Sequence, residues 1–150
     1  MMRQLSLFAH LLGFVMWLGG ALGAMAVGMA ARREAPGAIG TAVRLQGAIY
    51  RRLVLPGSLV TVISGLILTM TLYSGAGAMA AMSPWVAAMQ GFGLLAAIVT
   101  LTAVIPSSAR LTRLDPADPQ FAALRRRQIR FGMASSSLGM LALIASALIR

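Results

Sequence analysis

The chain has no cysteine and no lysine, a single histidine and only three acidic residues. Without thiols it cannot form disulfides, thiolate-ligated iron–sulfur clusters or thiolate zinc sites. The acids are Glu34, Asp115 and Asp118. All three stand between the long apolar runs, and those runs carry no Asp, Glu, Lys or Arg. An ion-coupled transporter usually keeps a buried carboxylate or cation at its site, so that class is disfavoured. One histidine and no apolar-segment acid leave no nucleophile–base–acid set. No P-loop and no zinc-ligand spacing are present either. Charged residues are 11% of the chain, less than half of the roughly 25% usual in soluble domains.

Apolar residues are abundant. They make up 59% of 150 residues, and mean hydropathy is +0.84. A soluble domain of this length cannot hide so much apolar surface, so the composition demands a membrane protein. All thirteen basic residues are arginines, giving a net charge of +10. Arg32, Arg33, Arg44, Arg51 and Arg52 form one group. Arg110, Arg113, Arg125, Arg126, Arg127 and Arg130 form another. Only Arg3 and Arg150 lie elsewhere. No aromatic residues interleave with them in a nucleic-acid-binding pattern, so nucleic acid is not expected as a partner. Their placement fits the positive-inside bias and marks two cytoplasmic loops, some of whose arginines can touch anionic headgroups.

The spacing predicts an all-α fold, a single domain over residues 1–150 with four membrane helices at about 5–31, 41–73, 84–109 and 119–149. Both termini fall on the outer, periplasmic side of a bacterial inner membrane. The first apolar run is too long for a typical signal peptide, and Arg32-Arg33 follow it directly, so it reads as a retained helix. Pro36, Gly37 and Gly40 break it from the next. Val43, Gln46, Gly47 and Tyr50 share a face of the second helix, which Pro56 is expected to kink. Residues 74–82 are expected to form the short outer turn. Ser83-Pro84 and Asp118-Pro119 both read as a helix cap followed by a first-turn proline. No internal repeat is convincing.

Two small-residue stripes stand out. His10, Gly13, Trp17, Gly20, Ala24 and Gly28 share one face of the first helix. Gly57, Thr61, Ser64, Gly65 and Leu68 share one face of the second. Such faces let helices approach closely and bond across the interface. His10 is an ionisable group inside a membrane segment and is the first candidate for chemistry. Its imidazole can ligate haem iron or copper, shuttle protons, or simply bond a neighbouring helix. Gly13, Trp17 and Gly20 are the candidate pocket stripe beside it. Eleven methionines are the second candidate. Met1, Met2, Met70, Met79, Met82 and Met89 fall on the same side as His10. His10 with Met79, Met82 and Met89 is a weak thioether–imidazole set for copper, against the alternative that methionine is flexible apolar filling. Gln90, Thr61, Ser64, Thr69 and Thr100 are read as groups that bond helix to helix, and residues 135–139 are a small, hydroxyl-rich patch of the fourth helix.

These features resemble a group of small four-helix bacterial membrane proteins. The group includes the four-helix membrane protoporphyrinogen oxidases, the membrane part of copper-resistance D-type proteins, and related families with no assigned activity. The matching residues are His10 with Trp17-Leu18-Gly19-Gly20, Arg51-Arg52-Leu53, Pro56-Gly57, Thr61, Ser64-Gly65-Leu66 and Pro84-Trp85. They cover roughly the first ninety residues. The resemblance implies that His10 is an axial ligand of b-type haem, or that the protein handles copper. The oxidases also need a lysine early in the third helix, where this chain reads Val86-Ala87-Ala88-Met89-Gln90. Three readings stand at this point: a haem protein in a redox or tetrapyrrole-linked role, a cofactor-free accessory or scaffold subunit, and a copper-handling protein. A homo-oligomer or a partner membrane protein is expected in the first two.

Overall fold

The computed structural model describes residues 2–34, 37–73 and 83–148. Among these there is no strand. Four helices are long and apolar enough to cross a membrane: α1 (Met2–Ala30), α2 (Ala38–Leu72), α3 (Pro84–Leu111) and α4 (Pro119–Ala147). Each lies within a few residues of its expected bounds. The expected outer turn at 74–82 lies outside the described residues.

Contacts between chain-distant residues fix the topology. His10 meets Thr61, Gly20 meets Val54, and Gln46 bonds Ala24, so α1 and α2 run antiparallel. Gln90 bonds Thr69 at one end of α2–α3, while Gly47 meets Thr112 at the other. The bundle is therefore up-down-up-down. Helix α1 packs mainly on α2, and α3 mainly on α4. Residues 31–34 and 112–118 lie at one end with most of the arginines, and His10 lies towards the other.

Start signals act as the residue types predict. The Asp118 carboxylate accepts the Gln120 backbone N–H at 2.7 Å and caps α4 ahead of Pro119. Ser83 holds the cap position of α3, but its side chain makes no capping bond; the Ser83 carbonyl instead accepts the Val86 N–H. At Pro56 the helix answers with a register change. Residues Tyr50–Val54 form one π-helical turn, in which the Leu55 N–H reaches the Tyr50 carbonyl. The same device recurs at Thr100–Val104, just ahead of Pro106. Proline has no N–H to donate and its ring crowds the preceding turn, so a widened turn accommodates it without ending the helix. The flanking sequences match locally: Val54-Leu55-Pro56-Gly57-Ser58 and Val104-Ile105-Pro106-Ser107-Ser108. Val54, Val104, Ser58 and Ser108 are all buried.

The core is thin. Trp17, Val54, Ala96 and Ala97 form its middle. Val43, Leu111 and Phe121 form a second cluster at the arginine-rich end. Phe8, Val15, Ile63, Leu94 and Leu141 point outward with many other large apolar side chains. So much exposed apolar surface is incompatible with water and suits a lipid bilayer. The protein is a multi-pass membrane bundle.

Candidate functional site

The α1–α2 seam is built on glycine. A Cβ on Gly57 would lie 2.7 Å from the Trp17 backbone nitrogen and 2.8 Å from the Gly13 carbonyl oxygen. A Cβ on Gly13 would lie 2.9 Å from the Gly57 carbonyl oxygen. Backbone thus meets backbone, and no side chain can rotate away to make room. Towards the arginine-rich end, Gly20 meets Leu53 and Val54, and Gly28 meets the Gln46 amide. That amide donates to the Ala24 carbonyl at 2.7 Å.

His10 sits at the other end of this seam, half-buried. Its ring lies over Gly65, where a Cβ would come within 3.0 Å of the imidazole Cε1. Its Nδ1 is 2.8 Å from the Thr61 carbonyl oxygen. A carbonyl only accepts, so Nδ1 must carry the proton. The Ser64 hydroxyl oxygen lies 3.3 Å from the same nitrogen, while its own proton goes to the Val60 carbonyl. In the neutral ring the lone pair is therefore on Nε2. Among the described residues Nε2 has no hydrogen-bond partner, and no buried side-chain nitrogen or oxygen lacks one, so Nε2 is not fully buried. An Nδ1–H fixed by a backbone carbonyl, with Nε2 presented, is how metal-ligating histidines are usually oriented.

The other candidates are placed less compactly. Gly13, Trp17 and Gly20 are buried on the face of α1 that includes His10, as the periodicity predicts. Gly13 and Gly20 are closed by α2, and Trp17 packs with Val54, Ala96 and Ala97. The stripe is a helix–helix contact with no room for a flat macrocycle inside it. Met79 and Met82 lie outside the described residues, and Met89 is half-buried on α3. Met2 and Met70 are exposed on the lipid-facing surface. Among the described residues no group of three His, Cys, Asp or Glu side chains could hold a metal.

The hydroxyl and amide groups tie helices together. Gln90 donates to the Thr69 hydroxyl at 2.7 Å, joining α3 to α2. Thr100 and Ser135 are 2.6 Å apart, and Ser135 also donates to the Ala96 carbonyl at 3.1 Å. Sequence reasoning missed the Gln46–Ala24 bond and the acceptor of His10. Both acceptors are main-chain carbonyls, which carry no residue-type signal. The π turns had a signal, the repeated Val-Leu/Ile-Pro-Gly/Ser-Ser string.

No protein-family model matches the chain, and no curated protein or solved structure matches it. The chain's own residues carry the functional reading.

Proposed function

We propose that this is a bacterial inner-membrane protein whose His10 serves as an axial ligand of a b-type haem, in a redox or tetrapyrrole-linked role. The observation that carries this reading is the fixed tautomer: Thr61 holds Nδ1–H, and Nε2 is left as the donor. The donor suits haem iron. The Gly13–Trp17–Gly20 stripe does not receive the ring, because α2 fills it. His10 would hold the haem through Nε2 outside this stripe, and water, a methionine or His10 of a second copy would complete its ligation. When bound, it would supply one-electron chemistry or a tetrapyrrole to hand on. His10 would bind and orient it, and Thr61 would keep Nε2 unprotonated. The positive-inside bias puts His10 near the periplasmic surface.

The test is an absorption spectrum of the full chain after haem-replete expression, oxidised and reduced, with metal analysis on the same sample. A Soret band that disappears in His10→Ala supports the reading. A haem-free wild-type protein rejects it, and copper bound through His10 would replace it with the copper reading.

One observation favours a second reading, a cofactor-free accessory subunit. The imidazole fits the Gly65 surface and bonds across α1–α2, which is also what a purely structural latch does. Under that reading, His10→Gln leaves complex assembly intact while Gly20→Leu disrupts it.

A further inference from the structure

A second feature lies at the opposite end of the bundle from His10. A cleft of about 530 Å³ opens where the end of α1, the start of α2 and the first turns of α4 meet. Arg32, Arg125 and Arg126 line it together with Ile39, Phe121 and Ile129. No acidic residue is in its lining. Of the acids nearest in sequence, Glu34 is exposed and lines a separate cleft with Arg33, Asp115 accepts the Ala117 N–H, and Asp118 accepts the Gln120 N–H. Arg125 is partly buried and feels the positive charge of Arg32. Like charges brought to one concave surface, with no carboxylate between them, call for an anion from outside.

The lining also selects the anion's chemistry. Guanidinium groups bind phosphate oxygens in pairs through planar, charge-assisted hydrogen bonds. Ile129 is one helical turn further along α4 than Arg125, on the same face, and is exposed. Phe121 is buried and closes the base. A ligand that fits must therefore be anionic at the mouth and apolar along one side. We infer that this cleft holds the phosphate of an anionic phospholipid, with Arg32, Arg125 and Arg126 on the headgroup and Ile39 and Ile129 along the glycerol and upper acyl chain.

The test uses the full chain in a neutral detergent, titrated with phosphatidylglycerol, phosphatidylcholine or inorganic phosphate, and reads retained ligand by native mass spectrometry. Phosphatidylglycerol is expected to stay bound and phosphatidylcholine to be lost. Arg125→Gln and the exposed Arg32→Gln are each expected to weaken retention about tenfold, the scale of one charged hydrogen bond. Arg110→Gln, outside the lining, is expected to leave it unchanged. Because Arg32 stands beyond the end of α1, its variant keeps the test valid if Arg125→Gln folds poorly. Equal weakening by Arg110→Gln would reduce the effect to general charge and overturn the site. Equal retention of phosphatidylcholine, or full displacement of the lipid by millimolar inorganic phosphate, would overturn the lipid assignment. None of these outcomes depends on whether His10 binds haem.

Discussion

The two principal seams of the bundle are made by different chemistry. Between α1 and α2, Gly13 and Gly57 bring backbone onto backbone, and the two shortest polar contacts across the seam end on main-chain carbonyls, His10 on Thr61 and Gln46 on Ala24. Between α3 and α4, a hydroxyl pair does the joining: Thr100 and Ser135, with Ser135 also on the Ala96 carbonyl. The glycines of that half are slack. Nothing lies within 4 Å of a Cβ built on Gly91 or Gly93, and one on Gly139 would meet only Leu18 Cδ1 of α1, 3.7 Å away. In lipid, with little hydrophobic drive between helices, close packing and hydrogen bonds are the two ways to hold them together. This chain uses close packing in the half that carries His10. It uses hydroxyl bonds in the other half.

The comparison is broken most severely at Gly57. Gly57→Leu places a branched side chain against the Gly13 carbonyl and the Trp17 nitrogen, and neither can move independently of α1. A loss of about 3 kcal/mol or more is expected, the upper range for overpacking. It would be read as a collapsed thermal midpoint by circular dichroism in detergent. An unchanged midpoint would show that the glycine contact is not what holds α1 to α2.

Thr100→Val, the next in size, removes one hydroxyl and leaves Ser135 its Ala96 acceptor. About 1 kcal/mol is expected, within the range of interhelical hydrogen bonds in membranes. A loss as large as that of Gly57→Leu would erase the distinction between the seams.

His10→Ala is expected to cost a similar amount or less, and it couples to Gly65. With the imidazole present, Gly65→Ala must displace Cε1; with it gone, the methyl meets open space. The double variant should therefore be more stable than the sum of the singles predicts, by about 0.5 kcal/mol or more. Strict additivity would mean that the ring does not rest on Gly65.

Gly139→Ala is the smallest. The site has room and the residue is mid-helix, so the change should be neutral or should stabilise by up to about 1 kcal/mol. A clear loss would mean that the contact of α4 with Leu18 of α1 leaves no room for a methyl.

Much of this was legible in the sequence. The apolar runs gave four helices, and period 3.6 put Gly13, Trp17, Gly20 and Ala24 on one buried face. Asp118-Pro119 announced its own cap. Gln90, Thr69 and Thr100 read correctly as groups that bond between helices, whereas the Thr61 and Ser64 hydroxyls donate within α2, to Gly57 and Val60, and it is the Thr61 carbonyl that reaches α1. Less legible was what a small-residue stripe is for. Periodicity shows that Gly13 and Gly20 face inward, but an open pocket and a backbone contact require the same residues. Only the position of α2 distinguishes them. The Arg32–Arg125–Arg126 cleft was hidden for a similar reason: its residues come from three chain segments, and each arginine group alone satisfies the topology rule. Pro56 signalled a disturbance, but whether a proline kinks a helix or widens one turn depends on how neighbouring carbonyls are shared.

The central claim is that the α1–α2 seam fixes His10 with its proton on Nδ1 and Nε2 presented. The chain has one histidine, so nitrogen NMR of the imidazole-labelled, cofactor-free protein gives one unambiguous pair of ring signals. At a pH where the ring is neutral, the account predicts a protonated Nδ1 and an unprotonated Nε2, with that preference weakened in Gly65→Ala. A ring that is predominantly Nε2–H would contradict it. The Thr61 carbonyl would then not hold the imidazole, and Nε2 would not be the donor it presents.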